Sequence, residues 1–368
     1  MSKSTAAPSY VPARRLSLPL IMERFGVALA LVVLMIVLTI LSPEYFLTGA
    51  NLSNVANRIA FIALISLGEF LVILTAGIDL SVGSMMGLSL IMLAKSCHLM
   101  YGWYADWYAS ASMAASLPEP ASPVALGVIS VLSILVALGT GYLCGLINGW
   151  GFTKLRLPHP FIMTLGMLNI ARGAANLISG GSPITGLPKA VRVFGAGNVI
   201  LFRTATSKGV RIPIAFIVVL VMYFVLWVFL SHTRTGRHVY AVGGNPQATL
   251  YAGVNVKQVL NLVYVLSGLL AATAAILYAG RINSGTPKAA MAGYELDAIA
   301  SVIIGGASFF GGRGTVVGTL IGVLIMGFIR NGLNLLNVSV FWQEVAIGII
   351  IITAAFIDVL RRRAAQQA

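Results

Sequence analysis

The sequence predicts an all-α, polytopic membrane protein of about ten transmembrane helices, and three observations predict it. The first is composition: 58% of the 368 residues are hydrophobic and only 9% are charged, with a mean hydropathy of +0.93. A soluble domain carries about 25% charged residues, so this chain has too little charge to cover a water-facing surface. The second is segmentation: apolar runs of membrane length recur along the chain, divided by short polar joints. The third is a glycine pattern, Gly141, Gly145 and Gly149 in one half and Gly314, Gly318 and Gly322 in the other. Small residues four apart let helix backbones approach closely in lipid. Two such helices running in opposite directions fit a pair of inverted five-helix halves, although glycine-lined packing alone accounts for the same pattern.

Residues 1–20 are polar and contain Pro8, Pro12, Arg14 and Arg15, as in a cytoplasmic tail. A first half at about 21–211 holds spans at about 25–41, 59–76, 82–99, 124–147 and 161–178. Its long joints are an aromatic, proline-containing loop at 98–123 and a second loop at 179–211. A second half at about 212–363 holds spans at about 212–230, 259–278, 299–310, 316–329 and 344–360. The eighth of these ten is short and glycine-interrupted. A basic cluster, Arg361, Arg362 and Arg363, closes the last span before a tail at 364–368. An even number of spans puts both basic termini on one side, which the excess of Lys and Arg on cytoplasmic loops makes the cytoplasm. Five basic residues depart from that rule: Lys189, Arg192, Arg203, Lys208 and Arg211 all fall in the outer loop between spans five and six. They read as positive charge presented to an acidic external partner, or as a misplaced span.

The formal charge of +14 does not indicate nucleic acid, because the basic residues are scattered through loops and form no stripe. Cys97 and Cys144 have no metal-ligand or redox spacing. No phosphate-binding GxxxxGK[ST], HExxH or GxSxG occurs, so neither an intrinsic ATPase nor an enzyme is expected, and no metal site. Residues 178–182, ISGGS, match the signature loop of an ATPase only by chance, since no phosphate loop precedes them.

Ionisable groups inside a membrane are costly and mark pathways. Glu69 has apolar residues on both sides and needs a helix partner or a wet cavity. Asp79, Glu295, Asp297 and Glu344 read either as pathway acids or as helix-start acids favoured by the helix dipole. Arg172 pairs with an acid or snorkels to the interface. Asn148, Asn169, Asn331, Asn334 and Gln343 with Trp342 and Tyr294 offer donors, acceptors and aromatic faces for a neutral polyol. Each of these groups also reads as a helix-packing contact.

The polar stretch at 232–257 stands apart. It carries Arg234, Arg237, Lys257 and a turn cluster at Gly243, Gly244, Asn245 and Pro246. Pro246 is placed to open a two-turn helix, with Gly253 ending it. A short helix on the cytoplasmic face is a surface for a soluble partner.

Several stretches together resemble the permease subunit of bacterial ABC importers for monosaccharides, the ribose/xylose/galactose/inositol group. They are TAGIDLSVGS at 75–84, AVGGN at 241–245 with Ala248 and AGVN at 252–255, YELDAIASVIIGG at 294–306, GGRGTVVGTLIG at 311–322 and NGLNLL at 331–336. The resemblance implies a homodimer, two cytoplasmic ATPase domains that hold the ATP and Mg, a periplasmic sugar-binding protein, and no cofactor on this chain. It implies that Gly243, Gly244, Asn245, Ala248 and Gly253 couple the chain to the ATPase. Glu69, Asp79, Asn148, Asn169, Glu295, Asp297, Asn331, Asn334, Trp342 and Gln343 are then the pathway candidates. Lys189, Arg192, Arg203 and Arg211 are the candidates for docking the binding protein. The competing expectation is a proton-coupled secondary transporter that uses Glu69 or Asp79.

Overall fold

The computed structural model describes residues 18–112, 122–200 and 211–367, with side chains at 26–106, 122–200 and 211–359. The N-terminal tail, Arg203 and Lys208 lie outside the described residues. α1 (Leu18–Leu41) leads to α2 (Gly49–Leu74), whose N-cap Thr48 accepts from the Asn51 amide. Every residue of α2 from Ile59 to Leu74 is buried, as expected of a helix apolar on all sides. α2 is the axis of the molecule, contacted by α3 (Val82–Ser112), α7 (Ile214–His232), α10 (Val256–Ile282), α11 (Tyr294–Ile304) and α12 (Val316–Leu335). α4 (Pro123–Leu155) and α5 (Pro160–Ser179) open on prolines in the first turn, where the missing N–H has no partner to lose. α13 (Val340–Gln367) closes the chain with exposed apolar side chains, Phe341, Ile349, Ile352 and Phe356 among them.

The glycines of both series that lie on α4 and α12 sit at helix contacts, whereas Gly314 precedes α12 in a loop at φ +148°. On α4, a Cβ at Gly141 would overlap the Gly268 carbonyl of α10, and one at Gly145 the Tyr264 carbonyl. On α12, Gly318 and Gly322 press on the backbone of Gly305 and Ser301 at the end of α11. Close packing without a hydrophobic drive thus explains these glycines.

Three sequence expectations need correction. The predicted eighth span is α11, an 11-residue helix, about 16 Å long at 1.5 Å per residue and half of a bilayer. It stops at Gly305 and Gly306, the latter at φ +89°, and it starts five residues early because its first-turn acids have basic partners. Ahead of it, β4 (Ser284–Gly285) and a 3-10 turn (Pro287–Met291) descend along α3, with Gly285 beside Ala94 and Ala290 beside Gly87. The segment expected as a loop from residue 98 is instead helical to Ser112, because the aromatic run contains no proline before Pro118. The loop expected at 179–211 holds β1 (Ile184–Thr185), α6 (Lys189–Ala196), β2 (Asn198–Ile200) and β3 (Arg211–Pro213). β1 pairs antiparallel with β4 and β2 with β3.

Among the described residues eight helices are long and apolar enough to cross a membrane. Together with α1 and the half-helix α11 they account for the ten segments expected. At one end lie the start of α1, near Gly306, the end of α2 and the last turns of α13, where Asp358 accepts from Ser308 and the Phe309 amide. At the other end Asn51 pairs with Asn331, and α6 packs on the end of α10 through Gly195 and Gly280.

Candidate functional site

The polar stretch forms two short helices at the end that carries the start of α1 and the last turns of α13. α8 (Arg234–Gly244) is capped by Thr233, which accepts from the Gly236 amide at 3.0 Å. α9 (Pro246–Tyr251) is capped by Asn245, whose Oδ1 accepts from the Ala248 amide at 2.9 Å. Ala252 closes α9 and Gly253 follows at φ +84°. Apart from Thr249, every residue of α9 is exposed, Leu250 at 56% and Tyr251 at 83%. The inner side of α8 is anchored. Gly243 lies against the Leu74 carbonyl at the end of α2 and against the Gly312 amide, with no room for a Cβ. The Gly312 amide donates to that same Leu74 carbonyl at 2.9 Å. Tyr240 donates to the Gly314 carbonyl at 3.0 Å, and burial raises its pKa, so the phenol remains a donor. Gly244, by contrast, faces open space. α8 is therefore in direct contact with α2 and with the α11–α12 loop.

A second group of predicted residues gathers in the packed core. Glu69 of α2 accepts from the Asp79 amide at 3.1 Å through Oε1, while its Oε2 has no partner among the described residues. The Asp79 carboxylate accepts from the Ser81 amide and hydroxyl and, at 3.4 Å, from Ser267 of α10. Asn148 of α4 donates to Ser81 at 2.8 Å. Glu69, Asp79 and Asn148 have no exposed surface, and none lines either of the two spaces described below. The cluster ties four helices at one point.

The third group surrounds a cavity of about 400 Å³ between α2, α10, α11, α12 and α13. Phe61 stands edge-on to Tyr278 and to Tyr294, each at 4.9 Å between ring centroids. Of the residues singled out in the sequence, Tyr294, Asp297, Asn331 and Glu344 line this space. Arg330 Nη2 holds both Asp297 oxygens, at 2.6 and 2.8 Å, and Arg172 holds Glu295 at 2.8 Å and the Ala290 carbonyl at 2.9 Å. The acids are thus both first-turn residues of α11 and ion-pair partners, so the half-helix can begin within the membrane. Gln343 donates to Asn334 at 3.0 Å, linking α12 to α13. Trp342 is 68% exposed, and Asn169 is exposed on α5 with its amide on the Leu165 carbonyl. Neither lines the cavity. Lys189 and Arg192 on α6 and Arg211 in β3 are exposed at the same end as the cavity mouth.

Sequence reasoning missed Arg58, Arg281, Phe61 and Tyr278 as cavity residues. Arg58 and Arg281 were excluded because apolar windows stop at charges. α2 actually begins nine residues before Arg58, and α10 runs one residue past Arg281. The signal was present: a cap at Thr48 and a left-handed stop at Asn283, φ 54°.

A bundle of membrane-length helices with a half-helix, an internal cavity and an anchored surface helix pair defines a multi-pass permease. The chain belongs to the family described as branched-chain amino acid transport system / permease component, whose model matches residues 51–355. It is 38% identical over 340 residues to the ribose import permease protein RbsC of Bacillus subtilis (strain 168), covering 92% of this chain and 93% of that one. It is 36% identical to the galactose/methyl galactoside import permease protein MglC of Escherichia coli (strain K12), over 91% of this chain and 94% of that one. The fructose import permease protein FrcC of Rhizobium meliloti is 34% identical, over 92% of this chain and 85% of the relative. No solved structure matches the chain.

Proposed function

We propose that the chain is the permease subunit of an ATP-driven sugar importer of a bacterial inner membrane. It works as a homodimer, with both termini in the cytoplasm. A separate ATPase carries ATP and Mg and engages α8 and α9, and a periplasmic binding protein delivers the sugar at the opposite end. The observation that carries this reading is the seat of α8. Its outer neighbour α9 is exposed, and its inner side is locked through Gly243 and Tyr240 onto α2 and the α11–α12 loop. A push on α9 passes to α2 and α11, the two helices that bring Phe61, Tyr294 and Asp297 to the cavity. Similarity to importers named for ribose, galactose and fructose favours a sugar over the amino acids named in the family description.

The test is sugar uptake by cells that express the chain with its ATPase and binding protein. Asn245→Ala combined with Ala248→Asp removes the α9 cap and puts a charge on its exposed first turn. Uptake is expected to be lost while the protein still inserts in the membrane. Uptake at the original rate would overturn the coupling role of α9. Uptake that survives ATP depletion but not collapse of the proton gradient would select the proton-coupled reading.

A further inference from the structure

Beside the aromatic cavity lies a second space of about 350 Å³, lined by Asn54 and Asn57 of α2 and by Gly195 and Ala196 of α6. Val55, Arg58, Arg281 and Asn331 line both spaces. The two arginines therefore stand at the junction between an outer vestibule and the inner cavity. Both face the same junction, since each lines both spaces. Neither has an ion-pair or hydrogen-bond partner among the described residues, whereas Arg172 and Arg330 each have an acid. Three guanidiniums border the inner cavity against two carboxylates, Asp297 and Glu344, and Asp297 is already held by Arg330. Glu344 forms no ion pair among the described residues, so at most one carboxylate lining this space remains for two arginines.

Arg58 and Arg281 are both exposed where the two spaces meet, so two like charges face one solvent-open junction and repel across it. A neutral occupant would leave it in place. Guanidinium pairs bind carboxylate and phosphate oxygens with charge-assisted, often bidentate hydrogen bonds. Around the pair are the groups a sugar ring requires, the amides of Asn331 and Asn57 and the rings of Tyr278 and Tyr294. The space is within the range of small-molecule sites, about 300–1,000 Å³.

We infer that the Arg58–Arg281 junction is a substrate subsite for the acidic group of a charged monosaccharide, such as a uronate or a sugar phosphate. The ring lies toward Phe61, Tyr278 and Tyr294. This deepens the permease reading and rests on it: the cargo would be a sugar acid or sugar phosphate, whereas the relatives above are named for neutral sugars.

The experiment uses the full chain in nanodiscs of phosphatidylcholine, so that no anionic lipid competes for the site. The thermal midpoint is titrated with galacturonate, glucose 6-phosphate, galactose and inorganic phosphate. At least one acidic sugar is expected to raise the midpoint at concentrations where galactose and phosphate leave it unchanged. Arg58→Gln and Arg281→Gln should each weaken that effect by about tenfold. Arg58→Lys, which keeps the charge, should lose less and controls for misfolding. The inference is overturned if galactose matches galacturonate, if inorganic phosphate alone reproduces the shift, if no ligand shifts the midpoint, or if both Gln variants behave as the parent. A preference for galactose removes the acidic subsite and leaves the permease reading standing. That reading falls on its own test, the uptake of the Asn245→Ala/Ala248→Asp variant.

Discussion

The seat of α8, proposed as the coupling surface, and the cavity use opposite materials. At the coupling surface α8 meets α2 and the α11–α12 loop through glycines and main chain: Gly243 on Leu74, Gly312 on Leu74, Tyr240 on Gly314. At the cavity the contacts are long charged side chains and aromatic rings. Main-chain contact at van der Waals distance leaves no slack, so a displacement on one side must be followed on the other. Long side chains can exchange partners, which a cavity needs if a polar cargo is to pass through it. Transmission and passage thus place different demands on the same helices, α2 and α11, at their two ends.

The sharpest way to break this comparison is a pair of adjacent glycines. Gly243→Val puts a side chain into the Leu74 carbonyl and the Gly312 amide, neither of which can swing aside. Overpacking of this kind costs about 1–3 kcal/mol or more, and uptake should fall by at least about tenfold with protein still in the membrane. Gly244→Ala meets nothing within 4 Å and should transport like the parent. Equal losses at both positions would show that the segment matters only for folding. A smaller effect is expected at the cavity from Asp297→Asn, which strands the Arg330 guanidinium. Breaking a buried pair costs about 3–5 kcal/mol. With Arg330 29% exposed, about 2 kcal/mol is a better expectation. The double variant Asp297→Asn/Arg330→Gln should recover part of this thermal stability, and additive losses would deny the coupling.

The fold was legible wherever one local rule decided it. Composition and apolar runs located nearly every span, and Pro246 with Asn245 and Gly253 marked α9 to within a residue. The rule failed where tertiary partners override local chemistry. Glu295 and Asp297 read as helix-start acids and α11 does start there, five residues before the apolar run, because Arg172 and Arg330, more than 30 residues away in sequence, meet them. Glu69 looked like a pathway group because nothing nearby in sequence pairs with it. Its partner is the main chain of Asp79, on the far side of a re-entrant turn that hydropathy does not reveal. Arg58 and Arg281 became visible as neighbours only when α2 and α10 were laid side by side.

The smallest effect concerns the rim of the end opposite α8, where Lys189, Arg192 and Arg211 are exposed. Exposed charges of this sort contribute at most about 1 kcal/mol each and are screened over about 10 Å at 0.1 M salt. If they steer an acidic binding protein, Lys189→Gln/Arg192→Gln/Arg211→Gln should slow its association with the permease at low ionic strength, and the deficit should shrink as salt is added. Interaction kinetics measured on nanodisc-held permease across a salt series decide the matter. A variant that loses docking by the same factor at every salt concentration would place these residues in a folded contact rather than a steering field. A variant that docks like the parent would remove the rim from the docking surface. The rim acts at a distance, the seat of α8 acts by contact, and salt dependence is the quantity that separates the two.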